Sequence, residues 1–311
     1  MRNAPAASLF DEYRLSRLML GTVQFGQAYG IANKTGRPSF KNVLGILECA
    51  LANGVNCLDT AHAYGDSEEV LGKAMQELKI GDKMIVVTKV PILPNNLSLA
   101  EADRMVEQLV RSSLKRLRLD FLPICLFHSE KDAVYAEALL KMKEKGVIKH
   151  AGISADSPEG ARRAVKAGYF EAMQLPTSIL DQRYIREGIM KDAAQKEMGL
   201  FIRSVYLQGL LFLADNEIPP ALSEVIAVRR RLQEIARKSG MDLAALAVRF
   251  VMSMKEVNCL VMGLETIGQL QDNLKTLAQG PLNAELLEEI RQAVPKLPEH
   301  VLRPSLWPKS A

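Results

Sequence analysis

The stretch Leu58-Asp59-Thr60-Ala61-His62-Ala63-Tyr64-Gly65, followed by Asp66-Ser67-Glu68-Glu69, sets the pattern for the whole chain. Cys57-Leu58 closes a short apolar run, and Asp59 stands where that run ends. Tyr64 lies five residues on, in a turn ahead of the helix-period segment Glu69-Val70-Leu71-Gly72-Lys73-Ala74-Met75. The order is strand, loop, helix, with an acid and a phenol on the loop side.

The same unit recurs in both directions. Eight short apolar runs, at residues 18–23, 56–60, 84–89, 122–128, 150–154, 172–176, 200–204 and 258–263, alternate with longer helix-period segments. That alternation belongs to a parallel sheet with crossover helices. The helices are expected at about 42–53, 68–78, 100–117, 133–145, 158–167 and 187–197. Segments 222–238 and 243–254 both follow the seventh run, so one helix there is extra to a plain eightfold repeat. Gly54, Gly146, Gly168, Gly199 and Gly240 stand where left-handed caps would end helices. Eight strands favour an α/β fold of the closed (β/α)8 TIM-barrel kind, with residues 1–311 as one domain. An open doubly wound sheet would want a glycine-rich phosphate turn early in the chain, and Gly21-Thr22-Val23-Gln24-Phe25-Gly26 lacks the dinucleotide fingerprint.

Composition narrows the function classes. With 311 residues and 48% apolar content the chain can fill one large core. Net charge is +4, from 40 basic and 36 acidic residues, and no basic run exceeds Arg229-Arg230-Arg231, so nucleic-acid binding is not implied. Cys49, Cys57, Cys125 and Cys259 lack close-pair metal spacing and mostly fall in apolar runs, as reduced cytosolic thiols do. The four histidines are scattered, which gives a metal site little support. Residues 1–15 carry no hydrophobic core of signal-peptide length, and no run of about 18 apolar residues occurs. A cytoplasmic protein away from membranes is expected.

Two more polar residues stand at the ends of the next apolar runs, Lys89 after Met84-Ile85-Val86-Val87-Thr88 and His128 after Ile124-Cys125-Leu126-Phe127. Four chemical groups thus emerge from three successive strand ends, the face on which barrel enzymes carry their active sites. Here the sequence resembles the aldo-keto reductases, whose catalytic set is an Asp and a Tyr in an Asp-Thr-Ala-x-x-Tyr-Gly stretch, then a Lys, then a His. Asp59, Tyr64, Lys89 and His128 match it, and the resemblance runs from Leu20-Gly21-Thr22 to Gln269-Leu270-Gln271-Asp272-Asn273.

The resemblance implies reversible reduction of an aldehyde, ketone or sugar carbonyl with NADP(H) or NAD(H). No side chain supplies hydride, so a nicotinamide must. A tyrosine with a pKa of about 10 exchanges protons near neutrality more readily beside a cation, and Lys89 is the expected cation, held by Asp59. Tyr64 is then the general acid or base and His128 orients the carbonyl oxygen. Ser154 and Gln174 match the family's carboxamide-binding positions, while Ala155 replaces an Asn and leaves Asp156 as a substitute. Arg203 stands where an aromatic residue normally stacks on the nicotinamide, before Ser204; a guanidinium can stack on a flat ring too, or reach substrate or a cofactor phosphate instead. Ser204, Leu207 and Gly209 resemble the pyrophosphate loop; Gly263, Glu265, Gln269 and Asn273 fall in the adenosine-binding stretch. Family frequency favours NADP. Gly263, Leu264 and Gln269, in place of Lys-Ser and Arg, leave little charge for a 2′-phosphate, and Glu265 suits a ribose 2′-hydroxyl, which favours NAD.

Residues 91–97, 206–220 and 297–311 are the expected rim loops, with Trp307 either closing over the pocket or pinning the tail. Phe25, Tyr29, Tyr206, Phe212, Arg183, Arg186, Arg203 and Arg303 around them would admit a polar or acidic substrate. No heptad or interface stripe sets an oligomeric state. Some family members serve as channel subunits with little turnover, which is the alternative reading. A metal- or phosphate-dependent barrel lyase is disfavoured by the lack of clustered His and carboxylates.

Overall fold

Period-two alternation in the eight apolar runs becomes the inside and outside of a closed barrel. The structure is a computed structural model that describes residues 7–31, 33 and 35–307. Two short strands come first, β1 (Ala7–Phe10) and β2 (Tyr13–Ser16), paired antiparallel. The barrel strands are β3 (Leu18–Gly21), β4 (Cys57–Asp59), β5 (Ile85–Val90), β6 (Leu122–Phe127), β7 (Ile148–Ser154), β8 (Ala172–Pro176), β9 (Gly199–Arg203) and β10 (Cys259–Gly263). They run parallel in sequence order, and β10 pairs with β3 to close the ring. Each expected run holds one of them.

The interior is packed with Met19, Cys57, Val87, Ile124, Leu126, Ala172, Phe201, Cys259 and Val261. Their neighbours Leu18, Leu20, Leu58, Val86, Cys125, Phe127, Met173, Leu200, Ile202, Leu260 and Met262 face outward against the helices. Successive side chains on a strand point to opposite faces. Two residues beyond an inward apolar residue therefore comes another inward one, nearer the carboxyl-terminal mouth. Asp59 follows Cys57 in this phase, Lys89 follows Val87, His128 follows Leu126, Gln174 follows Ala172 and Arg203 follows Phe201.

The crossover helices fall where the period places them. Helix Leu99–Leu117 starts with a capping box between Ser98 and Glu101, and Pro158–Ala167 starts on Ser157 and ends at Gly168 in the left-handed region. The segment expected as one helix at 133–145 begins as a 3₁₀ turn, Glu130–Tyr135, before Ala136–Glu144. Helices Val225–Lys238 and Leu243–Met252 both intervene before β10, as the count of segments requires. Among the described residues, no helix is long and apolar enough to cross a membrane.

Gly199 is a correction. It has no positive φ; the left-handed residue there is Glu197, and Gly199 opens β9. A Cβ on Gly199 would lie 2.8 Å from the Phe10 ring. The glycine is needed because hairpin β1–β2, not foreseen as strand, plugs the amino-terminal end of the barrel. Phe10 and Leu15 join the interior cluster, and Asn258 ties the plug down by donating to the Leu9 carbonyl at 2.9 Å while its own carbonyl accepts from Ser8 at 3.1 Å.

Residues 91–97 are irregular, as expected of a rim loop, but the other two rim segments are more ordered than loops. Segment 206–220 winds through 3₁₀ turns Leu207–Phe212 and Asp215–Glu217, and Asp215 is gripped by Arg229 and Arg230. In the tail, Trp307 packs on the core and donates its indole N–H to the Val301 carbonyl at 3.1 Å, so it fastens the tail to itself. Residues 308–311 lie outside the described residues. Phe25 is wholly buried in the outer core and so is not a rim residue.

Candidate active site

Asp59 is the hub. Its Oδ1 accepts from Lys89 Nζ at 2.6 Å and from Gln174 Nε2 at 2.7 Å. Lys89 Nζ also donates to the Thr60 carbonyl at 3.0 Å. Asp59, Lys89 and Gln174 are 3%, 1% and 0% exposed, so the ion pair sits almost entirely out of water. A buried pair of this kind survives only when its spare donors and acceptors are occupied. The strand register delivers them: Asp59 lies opposite Val87, two residues before Lys89.

Above this pair, Lys89 Nζ lies 5.1 Å from the centroid of the Tyr64 ring, and the Tyr64 and His128 rings meet edge to face at 5.5 Å and 76°. The four residues matched from the sequence are thus brought together at one mouth of the barrel. Burial chiefly, aided by the Lys89 and Arg203 charges, depresses the His128 imidazole to about 3. Burial also lowers Lys89, against the pull of Asp59. The phenol moves opposite to the expectation that Lys89 would lower it. Burial first and then the Asp59 carboxylate push Tyr64 above its ordinary value, while Arg203 pulls it down. The physical reason is burial, which penalises the charged phenolate more than the nearby cations favour it.

The loop bearing Tyr64 is braced from below. Thr22 Oγ1 donates to the Asp59 carbonyl at 2.9 Å, and Ser67 Oγ links Thr22 and Thr60, at 2.9 and 3.1 Å. Glu68, 1% exposed, accepts from Thr88 Oγ1 at 2.6 Å and faces Arg116 at 3.6 Å. A Cβ on Gly26 would lie 1.8 Å from the Tyr64 carbonyl oxygen, so only glycine lets the loop after β3 approach so closely. Gly65 has φ +58 and faces Gly26 from the other side.

The residues expected to bind cofactor lie on the same face. Ser154 is paired in register with Gln174. Gln174 spends its Nε2 on Asp59, and its Oε1 is buried with no partner. A buried acceptor without a donor suits an incoming amide N–H. Ala155 donates its backbone N–H to the Gln174 carbonyl at 3.0 Å and is wholly buried. Asp156 pairs with Arg203, whose Nη1 also reaches Ser204 Oγ at 3.4 Å. The two departures from the family pattern, at 155–156 and 203, are therefore one feature: a guanidinium locked to a carboxylate between two strand ends.

Ser204, Leu207 and Gly209 have φ of +63, +47 and +92 in a tight bend after β9. Asn273 Oδ1 accepts from Tyr206 OH at 2.9 Å and joins this bend to helix Ile267–Ala278. Gly263 ends β10, and a Cβ there would strike the Gln24 amide at 2.6 Å. Gln269 closes a capping box with Thr266, and its Oε1 also accepts from Glu265 N at 2.7 Å. That carboxamide oxygen is occupied in shaping the loop.

Of the basic residues thought to face substrate, Arg183 is held by Asp181, Arg303 by Glu299, and Arg186 by the Val294 carbonyl. Only Arg203 bears on the tetrad. The sequence reading missed Tyr184, wholly buried with an unpartnered hydroxyl, and Gln24, whose buried Oε1 also lacks a partner. The only signal the sequence offers for Tyr184 is an aromatic residue set between Arg183 and Arg186.

The Aldo/keto reductase family model matches residues 17–295. The chain belongs to that family. Aldo-keto reductase YhdN of Bacillus subtilis is 27% identical over 301 residues, covering 88% of each protein. A probable voltage-gated potassium channel subunit beta of Arabidopsis thaliana is 24% identical over 324 residues, covering 91% of this chain and 97% of its own length. The fold is that of the holo form of aldo-keto reductase AKR11C1 from Bacillus halodurans, with TM-score 0.75, 22% identity, and coverage of 94% of this chain and 97% of that one.

Proposed function

We propose that this chain is a cytoplasmic oxidoreductase that reduces the carbonyl of an aldehyde, ketone or sugar to an alcohol, with Tyr64 as proton donor. The observation that carries the reading is the arrangement of Tyr64 and His128 edge to face above a buried Lys89–Asp59 pair. A bound nicotinamide would supply the hydride. Ser154 and the orphaned Oε1 of Gln174 are the residues suited to its carboxamide, with Arg203, Ser204, Leu207 and Gly209 toward the pyrophosphate and Gly263, Glu265, Gln269 and Asn273 toward the adenosine.

A raised phenol is a proton donor at neutral pH rather than a phenolate, which fits the reductive direction. As an alkoxide forms, the proton passes from Tyr64 Oη to that oxygen, and the ammonium of Lys89 beneath the ring steadies the charge left on the phenol. His128 stays neutral, so it donates one N–H to the carbonyl oxygen without competing as an acid. Burial of Asp59 and Lys89 keeps water from screening this step.

The test is oxidation of NADPH and NADH, side by side, against aldehydes and aldoses, with Tyr64→Phe as control. Turnover lost in the variant supports the reading. The charge-poor stretch around Gly263 and Gln269 leads us to expect NADH to serve at least as well as NADPH. Tight binding of either cofactor without consumption would favour a regulatory subunit, the role that the name of the Arabidopsis relative suggests.

A further inference from the structure

At the opposite end of the barrel, three elements distant in sequence converge on His150. This residue is the lowest inward position of β7, in phase with Gly152 and Ser154 above it, and is only 2% exposed. Phe10 and Tyr13 clasp its ring, with centroids at 4.8 and 5.7 Å. Neither ring nitrogen has a hydrogen-bond partner of acceptable geometry. Both are nevertheless faced by carboxylates. Nε2 lies 3.5 Å from Asp11 Oδ2 and 3.4 Å from Glu12 Oε2, both in the turn of the β1–β2 hairpin. Nδ1 lies 3.4 Å from Glu171 Oε1 on the other side. The histidines that look scattered in the sequence thus include one that the fold surrounds with acids.

We infer that Asp11, Glu12 and His150 form a site for a divalent zinc-type cation that staples the hairpin to the barrel floor. Three geometric facts support it. The three donor atoms lie within 4.8 Å of one another. A tetrahedral zinc with bonds of about 2.0–2.1 Å separates its ligand atoms by roughly 3.3–3.4 Å, and the two separations from Nε2 are 3.4 and 3.5 Å. Glu171 Oε1 lies 3.4 Å from the far nitrogen, the place from which a second carboxylate would orient a metal-binding histidine once Nε2 takes up an ion. Glu171 is itself fixed by Lys143 and by the Ala151 N–H, so it is a support and not a fourth ligand. Lys149 takes the other oxygen of Glu12 at 3.3 Å and leaves Oε2 toward the histidine.

The rival occupant is a proton on His150, bonded to the same carboxylates. Protein prepared without a histidine tag and stripped with EDTA would be titrated with ZnCl2 at pH 7.5 by calorimetry, and its melting followed with and without zinc. The expected result is one zinc per chain at micromolar or tighter Kd and a Tm that rises to saturation near one equivalent. Asp11→Asn/Glu12→Gln, changed only on the exposed turn, should fold, keep its carbonyl-reductase rate, and lose at least 100-fold in zinc affinity together with the Tm rise. Glu171→Gln should weaken binding about 10–100-fold. No stoichiometric binding, binding undiminished in the turn variant, or a Tm that follows pH but not zinc would each overturn the inference.

Discussion

The two ends of the barrel bury charge in opposite ways. At the carboxyl-terminal mouth one lysine meets one aspartate, both almost wholly buried, and an amide from Gln174 completes the carboxylate. At the amino-terminal floor one buried histidine faces three carboxylates, two of them on an exposed turn. The mouth is balanced and dry, so its polar groups are held in one geometry before any substrate arrives. The floor has acid in excess and is wet on one side, so it can exchange what it holds. Preorganisation belongs to the first and ion capture to the second.

The largest effect should come from the mouth: Tyr64→Phe should lower turnover by about 10²–10⁴-fold while leaving cofactor affinity and Tm nearly unchanged. If cofactor binding fell with turnover, the phenol would be structural. Next, Lys89→Met strands a buried Asp59 and should cost about 3–5 kcal/mol in denaturant unfolding. Glu12→Gln at the floor, without zinc, should cost no more than about 1 kcal/mol, as partly exposed pairs do. Equal losses would erase the distinction between the two ends.

Gly26→Ala tests the brace rather than the charges. Its new Cβ would collide with the Tyr64 carbonyl, and a displacement of the loop by an ångström should lower kcat about 10²-fold while the melting of the floor is untouched. A smaller effect is expected from pH. Because His128 is held neutral in the folded chain down to about 3, against about 6.5 when unfolded, the unfolded chain binds the extra proton between these values. Stability from this group is complete above about pH 6.5 and declines as pH falls toward 3. Tm measured across that window should fall less steeply in His128→Asn; an unchanged slope would mean the imidazole is not buried neutral. Smallest of all, Arg203→Leu frees Asp156 and should weaken an acidic aldehyde more than a neutral one in kcat/KM. Equal losses would show that Asp156 already cancels the guanidinium.

What the sequence makes legible follows from range. The eight barrel strands announce themselves because each is a local apolar run, and the period-two phase then puts Asp59, Lys89 and His128 on the inner side of their strand ends. Hairpin β1–β2 does not, because four-residue strands with mixed polarity carry no local signal, and Gly199 is misread as a helix cap for want of the ring that rests on it. The Gln174–Asp59 and Arg203–Asp156 contacts join residues 115 and 47 apart, and nothing in either neighbourhood points to the other. The direction of the Tyr64 shift is equally non-local, since it follows chiefly from how the folded barrel buries the phenol and then from the Asp59 carboxylate.

The plug also has a consequence for biosynthesis. Ser8 and Leu9 are fastened by Asn258, and Ser8 is separated from it by 250 residues. At about 5–20 residues per second on the ribosome, roughly 12–50 s pass between the two being made. The residues that Phe10 packs on, His150, Gly199 and Phe201, are made within that interval, and the ring of strands closes only with β10. Hairpin β1–β2 is therefore made long before the residues that seat it, and a nascent chain must keep an aromatic residue waiting until Gly199, Phe201 and Asn258 have followed.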